Sequence, residues 1–264
     1  MFEYGFIGTG NMASALCRAL VKCVSPKCVL LSDRTAEKAE ELAQNLGCEA
    51  ADNKSVAEKC KYIFLGVKPQ MLSALAEEIK PYLEKREDRF VLVSMAAGRS
   101  INNITALFGG FPVIRIMPNV ACAVGEGMIL CARNSLVTDE EYSAFFTAMS
   151  KSGKTDDIPE ALIDAASAVS GCGPAFAFEI IEALADGAVA CGVPRDKAYL
   201  YSAQTLLGSA KLMLGTGENP AVLKDSVCSP GGTTIQGVRK LEEGGLRSAL
   251  MEAVIASYEK TLNI

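Results

Sequence analysis

Residues 5–16 read GFIGTGNMASAL, and the spacing of three small residues within them decides the fold. Gly8, Gly10 and Ala13 form G-x-G-x-x-A directly behind an apolar run, EYGFI, and at the opening of an amphipathic one, NMASALCRALVKC. At such a junction of strand and helix the first glycine permits a tight turn. The second lets the backbone approach a pyrophosphate, and the alanine keeps helix and sheet close. The helix start adds free amides and the positive end of its dipole. The stretch therefore points to dinucleotide binding, against the plainer alternative of a structural glycine turn.

Working outward, short apolar runs alternate with amphipathic ones. CVLLS precedes TAEKAEELAQNLG, YIFLGV precedes PQMLSALAEEIKPYL, and FVLVSM precedes SINNITALF. Strand and helix in alternation describe a parallel sheet with crossover helices, and right-handed crossovers make an open, doubly wound α/β sheet the expected architecture. PVIRIMP and GMILCA read as two further strands of that sheet, ahead of a helix near Thr138. From Pro159 onward no strand pattern occurs, so the expected domains are 1–157, binding the dinucleotide, and 158–264, all helical. In AYLYSAQTLLGSAKLML (198–214) only Lys211 is charged. Such a helix needs covering on more than one side, which predicts a homodimer or higher oligomer.

Composition removes other classes. The chain of 264 residues has a net charge of −5 and no basic cluster, so a nucleic-acid partner is not expected. Its first residues lack a basic leader, and no uncharged stretch free of Gly, Pro and Ser is long enough to span a bilayer, so no membrane partner is expected either. Ten scattered cysteines without a CxxC pair exclude the usual zinc patterns and suit a reducing, cytoplasmic setting. No metal site is expected. There is no histidine, which leaves hydroxyls, carboxylates, lysine, cysteine or water for proton chemistry.

The ends of the later strands carry the remaining cofactor signals. The second strand runs into Ser32, Asp33, Arg34 and Thr35. An acidic residue at this position accepts from the ribose 2′-hydroxyl of NADH, whereas arginine pairs with the 2′-phosphate of NADPH. Both are present, and Arg34 between Ser32 and Thr35 favours NADPH while Asp33 argues for NADH. A solvated Asp–Arg turn capping the next helix is the third reading. Lys68 and Pro69 end the strand YIFLGV near the expected nicotinamide half, and Ala96, Ala97 and Gly98 leave room for a flat ring. Tight packing of strand ends would produce the same residues.

Taken together, FIGTGNMA, FLGVKP, SMAAGRSI, RIMPNVA, SGCGPAF, ADGAVACGVPR, LLGSAKLML and LKDSVCSPGGTTIQGVRKLEEGGLRSAL resemble the pyrroline-5-carboxylate reductases over essentially the whole chain. The resemblance implies a Rossmann-type N-terminal domain, a helical C-terminal domain that dimerises, and reduction of the C=N bond of 1-pyrroline-5-carboxylate by NADPH or NADH. Carried over by position, it implies cofactor contacts at Ile7, Gly8, Thr9, Gly10, Asn11 and Met12, at the Ser32–Arg34 turn, at Asn53, at Val67, Lys68 and Pro69, and at Ala96 and Ala97. It implies substrate contacts at Glu160, Ser226, Ser229, Gly232, Thr233 and Thr234.

The segment SPGGTT (229–234) then has a chemical reading. The substrate carries one carboxylate and one imine nitrogen. Pro230 and the glycines make a turn into a helix whose apolar positions Ile235, Val238 and Leu241 recur at helical spacing, and a helix start with free amides suits a carboxylate. Ser229 and Thr233 add donors, and Thr234 is the expected group to bond the imine nitrogen and relay its proton. A simple Ser/Thr helix cap is the alternative. Cys172 and Phe176 in SGCGPAF, with Ser226 and Cys228, depart from the usual pattern and bear on the substrate pocket. Two other functions remain as alternatives: a related reductase of another cyclic imine or hydroxy acid, and a nucleotide-sensing module without catalysis. For the first, Lys197 and Lys211 lie in helix patterns without a glycine-rich neighbour.

Overall fold

A computed structural model describes residues 2–263. The chain forms two compact units, Met1–Cys172 with Ser257–Ile264, and Gly173–Ala256.

The first unit holds one sheet of eight strands: β1 (Phe2–Ile7), β2 (Val29–Ser32), β3 (Glu49–Ala50), β4 (Cys60–Leu65), β5 (Val91–Ser94), β6 (Val113–Met117), β7 (Gly127–Arg133) and β8 (Gly153–Asp157). Their order is β3-β2-β1-β4-β5-β6-β7-β8. The helices are α1 (Asn11–Leu20), α2 (Ala36–Leu46), α3 (Asn53–Lys59), α4 (Leu72–Leu83), α5 (Ile101–Phe108), α6 (Asp139–Met149) and α7 (Glu160–Ser170). Period-two alternation sends Tyr4, Phe6 and Phe64 to the face covered by α1, α2 and α6. Ile7, Ile63 and Leu65 go to the face covered by α3, α4, α5 and α7. Phe6 and Phe64 stack with ring centroids 4.3 Å apart. Both faces are packed, as a doubly wound sheet requires.

Helix starts are set locally. Ser100 and Asn103 form a capping box at α5, and Thr138 and Glu141 form another at α6. Asp52 accepts the Ser55 amide at the start of α3.

Three features of the sheet differ from the pattern read in the sequence. β6 and β7 are antiparallel, because the short helical turn Val120–Val124 between them is no crossover. The edge strands β3 and β8 carry no apolar alternation: β3 is two exposed residues, and β8 is the polar GKTDD. Pairing with β2 and β7 makes them strands. α7 buries Ile163 fully in the core of its face, so this helix packs on the sheet that ends at Asp157.

Registers place the strand ends that matter side by side. Ile7 is opposite both Ser32 and Leu65, and Leu65 is opposite Ser94. The turns leaving β1, β2, β4 and β5 therefore rise from one carboxyl edge, where the order reverses about β1.

The second unit is helical: α8 (Gly173–Ala190), α9 (Arg195–Thr216), α10 (Pro220–Val227), α11 (Thr233–Glu243) and most of α12 (Leu246–Leu262). Its buried apolar side chains are Ala185 and Ala198, while Phe178, Leu200, Leu207, Leu214 and Met251 stand exposed. Glu160–Ala190 is long and apolar enough, by length and composition, to cross a membrane. α7 and α8 nevertheless break at Gly171 within it.

Candidate functional site

At the end of β1, Gly8 adopts φ +94°, a conformation that L side chains rarely enter. A Cβ there would also lie 2.7 Å from the Gly66 carbonyl oxygen. The Gly8 amide donates to Ser32 O at 2.7 Å and the Gly66 amide to Ile7 O at 2.8 Å, so the turns after β1, β2 and β4 are stitched together. A Cβ on Gly66 would approach Ala13 Cβ to 2.9 Å, which is the close helix–sheet contact read for Ala13. Gly10 heads α1 with no side-chain cap and with nothing within 4 Å of where its Cβ would stand. Asn11 and Met12 follow it as the first residues of α1. An uncapped helix start behind a bare glycine is a cradle for phosphate oxygens. These residues fit a dinucleotide. A cleft of about 300 Å³ beside Thr9, Gly10 and Asp33 is lined in addition by Arg18 and Lys38.

The end of β2 is densely bonded. Asp33 Oδ2 accepts from the Thr9 amide at 2.7 Å and the Thr9 hydroxyl at 2.9 Å, and Oδ1 accepts from the Thr35 amide at 3.0 Å. Partial burial pushes the Asp33 carboxyl up, but these bonds and the nearby Lys38 together hold it below the ordinary value. Ser32 is fully buried and its hydroxyl donates to Asn53 Oδ1. Asn53 Nδ2 in turn donates to both Glu78 oxygens at 3.0 Å. Arg34 is exposed, and among the described residues its guanidinium has no bonded partner.

Beyond β4, Val67 is half-buried, Lys68 is exposed, and Pro69 opens a short helical turn, Pro69–Met71. Beyond β5, Ala96 is buried and Ala97 half-buried. Gly98 at φ +68° then turns the chain towards the cap at Ser100.

A charged group inside β6 escaped the sequence reading. Arg115 is 2% exposed. Its Nη2 donates to Asp164 Oδ1 at 2.5 Å and its Nη1 to Glu160 Oε1 at 3.4 Å, while the Ile101 amide also donates to Glu160 Oε1, at 2.6 Å. A buried guanidinium needs such partners. Here the arrangement ties α7 to β6 and to the start of α5. Its signal in the sequence was one arginine inside the apolar run PVIRIMP. Glu160 Oε1 is thus committed within the first unit, and among the described residues Oε2 has no bonded partner.

The loop of interest in the second unit is built separately. Gly231 takes φ +70°, the Gly232 amide donates to Ser229 O at 3.0 Å, and a Cβ on Gly232 would collide with the Ser229 hydroxyl. Gly232, in an extended conformation, is the N-cap of α11, and no side chain caps that helix. Thr233 and Thr234 lie inside the first turn with exposed side chains, and among the described residues neither hydroxyl has a bonded partner. The expected helix start is present, but the threonines do not cap it. Ser226 ends differently: its hydroxyl donates back to Leu223 O at 2.7 Å.

All ten cysteines are free, and among the described residues no group of three His, Cys, Asp or Glu side chains is arranged to hold a metal. Cys17 is buried as an apolar helix position should be, whereas Cys191 is exposed just beyond α8.

A phosphate cradle at the switch point of a doubly wound sheet, followed by a helical unit, defines an NAD(P)-dependent oxidoreductase of Rossmann type. A family model described as pyrroline-5-carboxylate reductase dimerisation matches residues 160–264, and one described as NADP oxidoreductase, coenzyme F420-dependent, matches residues 3–98. The chain is 40% identical over 263 residues to the pyrroline-5-carboxylate reductases of Methanosarcina acetivorans and Escherichia coli, covering 98% of this chain and 96% and 97% of those proteins. The chain belongs to the pyrroline-5-carboxylate reductase family. The crystal structure of Plasmodium falciparum pyrroline carboxylate reductase with NADP bound matches with a TM-score of 0.88 at 28% identity, covering 99% of this chain and 97% of that one.

Proposed function

We infer that this chain reduces the C=N bond of 1-pyrroline-5-carboxylate to give proline, with NADPH as reductant and NADH as the alternative. The observation that carries this reading, beside family membership, is the uncapped start of α11 behind a left-handed glycine. Nothing in the loop satisfies those amides, and a ligand carboxylate suits them.

When bound, the reduced nicotinamide supplies the hydride to the ring carbon. The uncapped turn of the first unit, Ile7 to Met12, would hold its phosphates. Ser32, Asp33, Arg34 and Asn53 build the end of β2 beside which the ribose would lie, and Val67, Lys68, Pro69, Ala96 and Ala97 would border the nicotinamide half. Thr233 would present its amide and hydroxyl, and Ser229 its hydroxyl, to the substrate carboxylate beside the bare Gly232, each charge-assisted bond contributing ~1.5–3 kcal/mol. Thr234 bonds the imine nitrogen. A hydroxyl is too weak an acid to protonate it unaided near neutral pH, so its role is to orient the nitrogen and pass on a proton from water. Ser226 and Glu160 complete the set of substrate contacts that the family resemblance implies.

The dimerisation match and the exposed apolar faces of α8 and α9 support a homo-oligomer. We place the functional boundary at 157/158, propose a dimer as the smallest working form, and propose a cytoplasmic enzyme without nucleic-acid or membrane partners.

The test is the fall in reduced-cofactor absorbance on adding pyrroline-5-carboxylate, run with NADPH and with NADH on the wild type and on folded Thr234→Ala. Rapid turnover that drops ten- to hundredfold in the variant is expected, within the ~10²–10⁴ range of a positioned proton carrier. A wild-type protein that binds cofactor without turnover would sink the reading.

A further inference from the structure

We propose that Asp33 is a positioning residue that locks the phosphate-binding turn and takes no part in holding the ribose, so that the choice between NADPH and NADH rests on Arg34.

An acidic side chain at the end of the second strand ordinarily accepts from the ribose 2′-hydroxyl. To do so it must turn an oxygen towards the crevice. Here, although Asp33 lines the cleft, both carboxylate oxygens are already engaged by donors of the protein. Oδ2 takes two donors from Thr9 and Oδ1 takes the Thr35 amide, which fills three of a carboxylate's roughly four acceptor positions. Thr9 is equally committed, since its carbonyl accepts from the Ser14 hydroxyl at 2.7 Å. Every polar atom of the residue between Gly8 and Gly10 is thus engaged. A single side chain from the second turn holds the middle of the first in the shape that exposes the amides at the start of α1.

The neighbouring groups are spent too. Ser32 O accepts the Gly8 amide and Ser32 Oγ bonds Asn53. Of the side chains of the turn itself, that leaves Arg34, exposed and without a bonded partner among the described residues, as the one available to the ribose, while Arg18 and Lys38 line the cleft from α1 and α2. The planar fork of Arg34 matches a phosphate in two bonds and has no comparable match in a bare hydroxyl. Removing Asp33 should therefore loosen the cradle for both cofactors alike, whereas removing Arg34 should change the preference.

The experiment titrates wild type, Asp33→Asn, Thr9→Val and Arg34→Ala with NADPH and with NADH by cofactor fluorescence, then repeats the series as turnover of pyrroline-5-carboxylate. Asp33→Asn is expected to weaken both cofactors by a common factor of about ten to a hundred, the scale of one charge-assisted hydrogen bond. The NADPH:NADH ratio should stay within about threefold of wild type, with KM moving more than kcat. Thr9→Val, which keeps the amide bond, should give a common loss of about two- to fivefold. Arg34→Ala should lower the ratio at least about tenfold.

An Asp33→Asn protein that loses NADH selectively, gains NADPH, or binds both as the wild type does would overturn the proposal. Should that variant fail to fold, Thr9→Val decides: a common loss supports the lock, and no loss or an NADH-only loss overturns it. The kinetic arm alone rests on the reductase reading. Cofactor binding without turnover in the wild type would sink that reading and leave the binding result to judge Asp33.

Discussion

The sheet unit and the helical unit solve the burial of apolar surface in opposite ways. In the first, Phe6, Phe64, Phe145 and Leu16 are fully buried, and both faces of the sheet are covered by helices of the same chain. In the second, two alanines are the buried apolar side chains, and Leu200, Leu207, Leu212 and Leu214 of α9 alone are exposed. Both carry apolar sequence, but only one spends it on an internal core. An exposed apolar surface of this kind marks an interaction face, and the dimerisation match falls on it. The first unit is therefore stabilised as a monomeric domain is, whereas the second presents an apolar surface that assembly would cover.

Phe64→Ala tests the first half of that contrast most severely. Phe64 stacks on Phe6 and touches the cluster through Phe145, so its removal should cost about 3–5 kcal/mol. Urea unfolding should show that loss at every protein concentration.

Leu207→Asp should do the reverse. It places a charge on an exposed face of α9 and should raise the subunit dissociation constant at least about tenfold, or about 1.4 kcal/mol. Sedimentation would show monomer at concentrations where the wild type is assembled. The wild-type Tm should rise with concentration, and a concentration-independent Tm with an unchanged mass for the variant would break the comparison.

A smaller effect sharpens it from the side of pH. Hydrogen bonds from Arg89 hold the buried Glu141 carboxyl below its ordinary value of 4.5, with help from the Thr138 amide and against the opposing pull of burial. Asp33 is likewise held below 3.8. A carboxyl whose folded value is depressed stabilises the fold above its unfolded value and loses that contribution as pH falls through the folded one. Stability should therefore decline below about pH 4.5 through the first unit. Glu141→Gln should flatten the decline by about 1 kcal/mol, a modest figure because Arg89 is half exposed.

The first unit was the more legible of the two. Its strands announced themselves as apolar runs, and Gly8 makes the tight turn and Ala13 the close helix–sheet contact that their spacing implied. What the pattern left out was β3 and β8, because edge strands of polar residues are created by their neighbours and not by their own periodicity. The direction of β7 was equally invisible, being a matter of how short a connection the turn at Val120–Val124 allows. At the substrate loop, the sequence implied a helix start at Thr233. Only the structure distinguished threonines that cap the helix from threonines left free by a glycine cap.

Spacing along the chain is local, and helix and strand periods, turn glycines and the order of elements are written in it. The sequence by itself therefore determined the α/β first half, the helical second half, the glycine cradle and the SPGGTT turn. Bonds between residues far apart are written nowhere along the chain. That Asp33 reaches Thr9, that Arg115 meets Glu160 and Asp164, and that α9 keeps Leu200, Leu207, Leu212 and Leu214 exposed within one chain were decided by tertiary structure alone. Each depends on which surfaces the folded chain brings within about 3 Å of one another, or leaves for another copy to cover.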